Sequence, residues 1–92
     1  MTEGKLNKNQ IKSLRTEIDL IDDSISVLLQ KRFECAKQIG QFKMQSSLSV
    51  KDEQREREVF ENVVKNIENS NEKQAVIRIY KTIIQECRDL QK

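Results

Sequence analysis

No histidine occurs in this sequence, nor any proline or tryptophan. Without histidine, imidazole acid–base catalysis and the usual zinc sites have no ligand or proton carrier. Without proline, and with only two glycines among 92 residues, few local breakers interrupt the chain, so long helices are expected. The two cysteines, Cys35 and Cys87, have no CxxC spacing. They read as free thiols of a reducing compartment, not as a disulfide framework. No apolar run approaches a signal sequence or a membrane span, and the expected location is the cytoplasm. There is no Gly-rich phosphate loop and no arrangement of nucleophile, base and orienting group. No cofactor and no metal are expected.

What is present is charge at high density and little hydrophobic material. Hydrophobic residues make up 36% of the chain and charged residues 35%, so the core of a single chain would be thin. Leu, Ile, Val and Phe still exceed a quarter of the residues, which argues against disorder. The length suits one domain, residues 1–92. Seventeen basic and 15 acidic residues leave a net charge of +2, too balanced to imply nucleic acid or a membrane surface.

The apolar pattern predicts an all-α fold of three helices, at about 9–45, 50–68 and 72–91. In the first, Leu14, Ile18, Ile21, Ile25, Leu28, Arg32, Cys35, Ile39 and Phe42 step alternately by four and three. This is the repeat of a long helix packed on another helix, roughly 50 Å of it. Residues 1–10 are polar and are expected to fray. Gly40 interrupts the propensity of the helix but not its pattern; it allows a close approach or is simply tolerated. Residues 45–49 read as a short connection. Ser49 is a candidate cap for the second helix, with Asp52 at its third position. The apolar face of that helix is Val59, Val63 and Ile67, broadened by Phe60 and Val64. Asn69-Ser-Asn71 reads as a turn in which Asn71 caps the third helix. Its face is Val76, Ile79, Ile83, Cys87 and Leu90, widened by Ala75, Tyr80 and Ile84. Two short helices cannot cover so long a first one, and soluble monomers avoid a bare apolar stripe. A homodimer in which two long helices lie together removes the difficulty; the alternative is an antiparallel partner helix in a different protein.

Arg32 stands where the stripe calls for Ile or Leu. An inward-facing guanidinium needs an anion or a dense hydrogen-bond network. Lys43 lies eleven positions later, on nearly the same face and about 16 Å along the axis. Arg15 lies seventeen positions before Arg32, roughly 25 Å away, too far for one small molecule to touch both on one helix. It would come into reach from an antiparallel copy; its plain alternative is a salt bridge with Asp19. The second helix opens with Asp52, Arg55, Glu56, Arg57 and Glu58. Charge this dense is usually a solvated face, yet Arg55 and Glu56 sit where free N–H groups and the helix dipole favour an anion. Cys87 and Gln91 are one turn apart near the end of the third helix; separately they read as core and surface. A cage of cations and hydrogen-bond donors suits a small dianion whose reaction needs no covalent help.

Together these blocks resemble the all-helical chorismate mutases, the AroQ class or type II. The resemblance runs through Leu14-Arg-Thr-Glu-Ile-Asp-Leu-Ile-Asp22, Leu28-Leu-Gln-Lys-Arg32 and Ala36-Lys-Gln-Ile-Gly-Gln-Phe-Lys43. It continues in Val50-Lys-Asp-Glu-Gln-Arg-Glu-Arg-Glu58 and in Ile83-Ile-Gln-Glu-Cys87 with Gln91, covering about residues 10–92. It implies an intertwined homodimer of three-helix protomers with two shared sites. Each site would take Arg15 from the partner chain and Arg32, Lys43 and Arg55 from its own. Asp52, mainly through its backbone, and Glu56 would meet the ring hydroxyl of the substrate. Lys43 and Gln91 would face its ether oxygen. Where the family commonly has a serine that binds a carboxylate, this chain has Cys87.

The activity implied is isomerisation of chorismate to prephenate, a step of the shikimate pathway toward phenylalanine and tyrosine. Lys43, Gln91, Arg32 and Arg15 are the expected catalytic residues; Asp52, Arg55, Glu56 and Cys87 complete substrate binding. Two other readings stand beside it. One is an isochorismate-pyruvate lyase on the same fold. The other is a non-catalytic helical dimerisation module, in which Arg32 would pair with an internal acid such as Glu86 or Glu17. Association with another enzyme of the pathway cannot be read from these residues, and a basic nucleic-acid binder has only Lys5, Lys8, Lys12 and Arg15 in its favour.

Overall fold

The computed structural model describes residues 2–92 and, for side chains, residues 7–92. The three expected helices form in order: α1 (Thr2–Gln45), α2 (Glu53–Val64) and α3 (Ser70–Gln91). The chain divides into two units, Met1–Arg32 and Phe33–Lys92.

The first unit is the greater part of α1. Helix begins at Thr2, not near Asn9, so the segment expected to fray is helical. Extending a helix already nucleated fixes one residue for each new hydrogen bond, and polar residues outside the packed region can follow. The predicted stripe is present and largely uncovered. Exposure runs from 48% at Ile25 to 62% at Leu28, with Leu14, Ile18 and Ile21 between.

The second unit contains the end of α1 together with α2 and α3, and α2 packs against α3. Its buried apolar residues are Ala36 of α1 and Ile84 and Cys87 of α3. Val59, Phe60, Val63 and Ile67 are half-buried, as the pattern of the second helix requires. Most of the expected face of α3 is turned inward: Ala75, Val76, Tyr80 and Ile83 are half-buried and Ile84 and Cys87 buried. Ile77 and Gln91 are also withdrawn from solvent, whereas Ile79 is 58% exposed and Leu90 39%. The stripe of Ile77, Tyr80, Ile84 and Cys87 keeps the steps 3, 4, 3, 4 and ends on Gln91, which turns a polar side chain inward in place of Leu90.

Both caps differ from the sequence expectation. Asp52, not Ser49, caps α2: its backbone is extended (φ −129°, ψ 95°) and its carboxylate accepts from Arg55 N–H at 3.0 Å. A start at Val50 would commit the Val50 carbonyl to the helix, but that oxygen accepts instead from Lys43 Nζ at 2.7 Å. Asn69, not Asn71, caps α3, accepting from Glu72 N–H at 2.9 Å. Asn69 and Glu72 have the spacing of a capping box, which Asn71 and Gln74 share, so spacing alone did not choose between them. Helix α2 ends at Val64, four residues short of the expected Glu68; a turn follows in which Ile67 N–H donates to Val64 O at 3.0 Å.

The end of α1 is a Schellman motif. Leu48 N–H donates to Lys43 O at 2.7 Å and Ser47 N–H to Met44 O at 3.2 Å. Ser47 holds the left-handed conformation, φ 56°, that such an end requires. This reversal returns the chain so that Val50 meets the side chain of Lys43.

Candidate active site

The last turn of α1, the connection after it, the start of α2 and the last turns of α3 supply the candidate site. Lys43 is half-buried at the end of α1, where a cation also complements the helix dipole. Its ammonium donates to Val50 O at 2.7 Å and to Gln91 Oε1 at 3.3 Å. Lysine can only donate, so the atom of the Gln91 amide that faces it must be the oxygen. The amide NH2 of Gln91 is thereby turned outward from Lys43, and the ammonium retains one further N–H.

Gly40, one turn before Lys43, makes this meeting possible. A Cβ at position 40 would lie 2.8 Å from Gln91 Cα and 2.9 Å from both its Cβ and its carbonyl oxygen. Real Cβ atoms do not approach backbone so closely, so only glycine lets the end of α3 sit against α1 here. Of the two readings left open for Gly40, close approach is the observed one.

At the other side of the last turns of α3, Arg88 Nε lies 3.3 Å from Glu56 Oε2. Both side chains are three-quarters or more buried, at 25% and 20% exposure. The Nε–H is inaccessible to water and does not aim well enough at the carboxylate to count as a hydrogen bond. The contact is therefore an ion pair across α2 and α3. Arg88 was not singled out in the sequence, because an arginine three residues before Gln91 looks like ordinary surface charge. The signal available was its spacing: Arg88 and Gln91 are neighbours on one helical face.

The remaining candidates are distributed as follows. Asp52 is exposed; its carboxylate binds Arg55 N–H and its carbonyl accepts from Glu56 N–H at 3.0 Å, so both are taken up by the first turn of α2. Arg55 is exposed, with Nη1 3.5 Å from Glu58 Oε2. Cys87 is in no disulfide and is buried at 4% exposure, one turn before Gln91; Cys35 is in no disulfide and is exposed. Arg15 and Arg32 belong to the first unit, Arg15 exposed and Arg32 half-buried. The anticipated salt bridge of Arg15 with Asp19 is not among the ion pairs of the described residues. Lys43 and Gln91 are thus brought together, as are Glu56 and Arg88. Arg15 and Arg32 remain seventeen positions apart on α1, about 25 Å along it.

Among the described residues, no group of histidine, cysteine and carboxylate side chains has metal-site geometry, and no helix is long and apolar enough to cross a membrane. The arrangement offers fixed donors at one point, Lys43 with Gln91, and a paired carboxylate, Glu56. Such a set can bind an oxygen that gains negative charge and accept from a hydroxyl.

Comparison with known proteins gives the family of the chain. The profile of the family described as chorismate mutase type II matches residues 14–92. A bifunctional chorismate mutase/prephenate dehydratase of Aquifex aeolicus (strain VF5) is 39% identical over 87 residues, covering 90% of this chain. The chain spans 24% of the length of that relative. No solved structure gives a significant match. With nearly the whole chain matched and every block of the resemblance inside the match, this protein belongs to the chorismate mutase type II family.

Proposed function

We propose that this chain is an isomerase that converts chorismate to prephenate, in the cytoplasm, within phenylalanine and tyrosine biosynthesis. The observation that carries the reading is the Lys43–Gln91 pair. Chorismate is a dianion with an enolpyruvyl ether. In an intramolecular [3,3] rearrangement, a carbon–carbon bond forms while the ether carbon–oxygen bond breaks, with no proton transfer and no covalent intermediate. The ether oxygen gains negative character as that bond lengthens. The third N–H of Lys43 and the amide NH2 of Gln91 are donors free to meet it, and both are held in place before substrate arrives. Donors fixed in this way stabilise the transition state more than the ground state.

The arginines have a different task. Each presents a planar fork to a carboxylate. Clamping two carboxylates holds the flexible substrate in the compact conformer in which its reacting carbons meet. Arg32 and Arg55 take this part from the same chain, and Arg15 of the partner subunit completes it. The bare stripe from Leu14 to Leu28 supports the dimer, since two long α1 helices laid together would cover it and carry Arg15 across. Glu56, with Asp52 beside it, receives the ring hydroxyl of the substrate. Cys87, a weaker donor than a hydroxyl, assists carboxylate binding less than serine would.

The test is to supply the purified chain with chorismate and with isochorismate, following prephenate and pyruvate separately. Prephenate from chorismate supports the mutase. Pyruvate from isochorismate, without prephenate, would instead make the chain a lyase on the same fold. Neither product, with no effect of chorismate on the melting temperature, would leave a helical dimerisation module.

A further inference from the structure

Three features of the molecule stand outside the roles given so far: the exposed thiol of Cys35, the outward Ile79 and Leu90 of α3, and the cation Arg88. Only Arg88 meets a residue of the candidate site. From its contact with Glu56 we infer that Arg88 is a positioning residue for substrate binding, acting through the Glu56 carboxylate; this rests on the reading of Glu56 as the acceptor for the substrate hydroxyl.

The carboxylate of Glu56 poses an electrostatic difficulty. A site that gathers cations around a dianion is a poor place for a carboxylate. Glu56 is four-fifths buried, so solvent screens its charge only in part. Unneutralised, it would repel both carboxylates of the substrate. Arg88 Nε stands 3.3 Å from Oε2, and the guanidinium offsets that charge from the side of α3. A carboxylate has two oxygens and about four acceptor positions. Engagement of Oε2 leaves Oε1 to accept from a hydroxyl.

Order is the second part. Glu56 has three side-chain torsions, and fixing a glutamate in one arrangement costs rotamer freedom. A partner on the facing helix imposes that order before substrate binds. Arg88 is also three residues before Gln91, on the same face of α3. The last turns of α3 are therefore tied to α2 through Arg88 and to α1 through Gln91. The Nε–H of Arg88 is buried without a hydrogen bond, which marks the contact as one of charge more than of directed bonding.

The consequence is a separation of kinetic constants. Loss of Arg88 acts on the binding of a dianion beside an unneutralised acid, so KM rises while kcat changes little. The experiment compares Arg88→Met, Arg88→Gln and Arg88→Lys, each alone and with Glu56→Gln, by steady-state kinetics on chorismate and by thermal melting. Arg88→Met keeps the apolar stem, and Arg88→Gln keeps a polar one, so the comparison survives if either fails to fold. The expected result is about a tenfold rise in KM for Met and Gln with kcat within threefold, and near-complete rescue by Lys. In the Glu56→Gln background the same replacements should change KM less than twofold, because no charge remains to be offset. An equal effect in both backgrounds would overturn the inference, since Arg88 would then act independently of Glu56. So would a lower melting temperature with unchanged KM, which is the mark of a purely structural pair. A Glu56→Gln chain with unaltered kinetics would overturn the role of Glu56 itself, and this inference with it.

Discussion

Lys43 Nζ donates to Gln91 Oε1 at 3.3 Å and to Val50 O at 2.7 Å, so one ammonium fixes the end of α3 and the chain after α1 at once. On the proposed reading, removing it deprives the substrate's ether oxygen of a cation and releases the amide of Gln91. Lys43→Ala should lower kcat by about 10²- to 10³-fold, the usual cost of losing a donor to developing negative charge. KM should change much less. Steady-state kinetics separate the two. A large rise in KM at constant kcat would assign Lys43 to ground-state binding alone.

Gly40 is the backbone condition for that contact. A methyl group at position 40 meets Gln91 Cα at 2.8 Å, and neither backbone can yield without moving a helix. Gly40→Ala adds helix propensity, about 1 kcal/mol, but overpacks a tight crossing, which typically costs about 1–3 kcal/mol. The expected variant melts at a slightly lower temperature and turns over at least tenfold more slowly, because Gln91 is displaced from its place beside Lys43. Unchanged turnover would mean that the crossing does not set the position of Gln91.

Ser47 offers a gain. It is in the left-handed region, φ 56°, at the position of the Schellman motif where glycine is the usual residue. A side chain there costs roughly 1–2 kcal/mol, partly returned by the lower freedom of serine in the unfolded chain. Ser47→Gly should stabilise by about 0.5–1 kcal/mol, a rise of several degrees in the melting midpoint for a chain of this size. Activity should be unaffected. A fall in the midpoint would show that serine makes a compensating contact.

The helices and their order were legible because the four-and-three repeat of α1 and the denser faces of α2 and α3 are long-range patterns that no single residue can spoil. Their ends were less legible. Ser49 and Asp52 both cap well, and Asn69 and Asn71 share the same spacing to an acceptor. The choice at Asp52 follows from where the Val50 carbonyl is spent, a tertiary fact. On α3 only the places of Ile79, Leu90 and Gln91 were misjudged, because the first two are apolar and Gln91 is not. An inward glutamine is intelligible only once Lys43 is seen opposite it. Lys43 and Gln91 were named as a pair by resemblance; Arg88 was not, because its partner lies on another helix 32 positions earlier in the chain.

The proposed site is divided between two chains. On α1, Arg15 and Arg32 are seventeen positions apart and cannot serve one small molecule from the same copy. Mixing an Arg15→Ala chain with an Arg32→Ala chain and following prephenate formation tests this directly. Each variant alone should be nearly inactive and remain folded. Random exchange should produce mixed dimers in which one site has lost both arginines and the other retains both. The predicted result is recovery of activity on mixing, approaching one quarter of that of the unmodified protein. Failure of the mixture to exceed its separate components, with chain exchange demonstrated, would contradict the shared site.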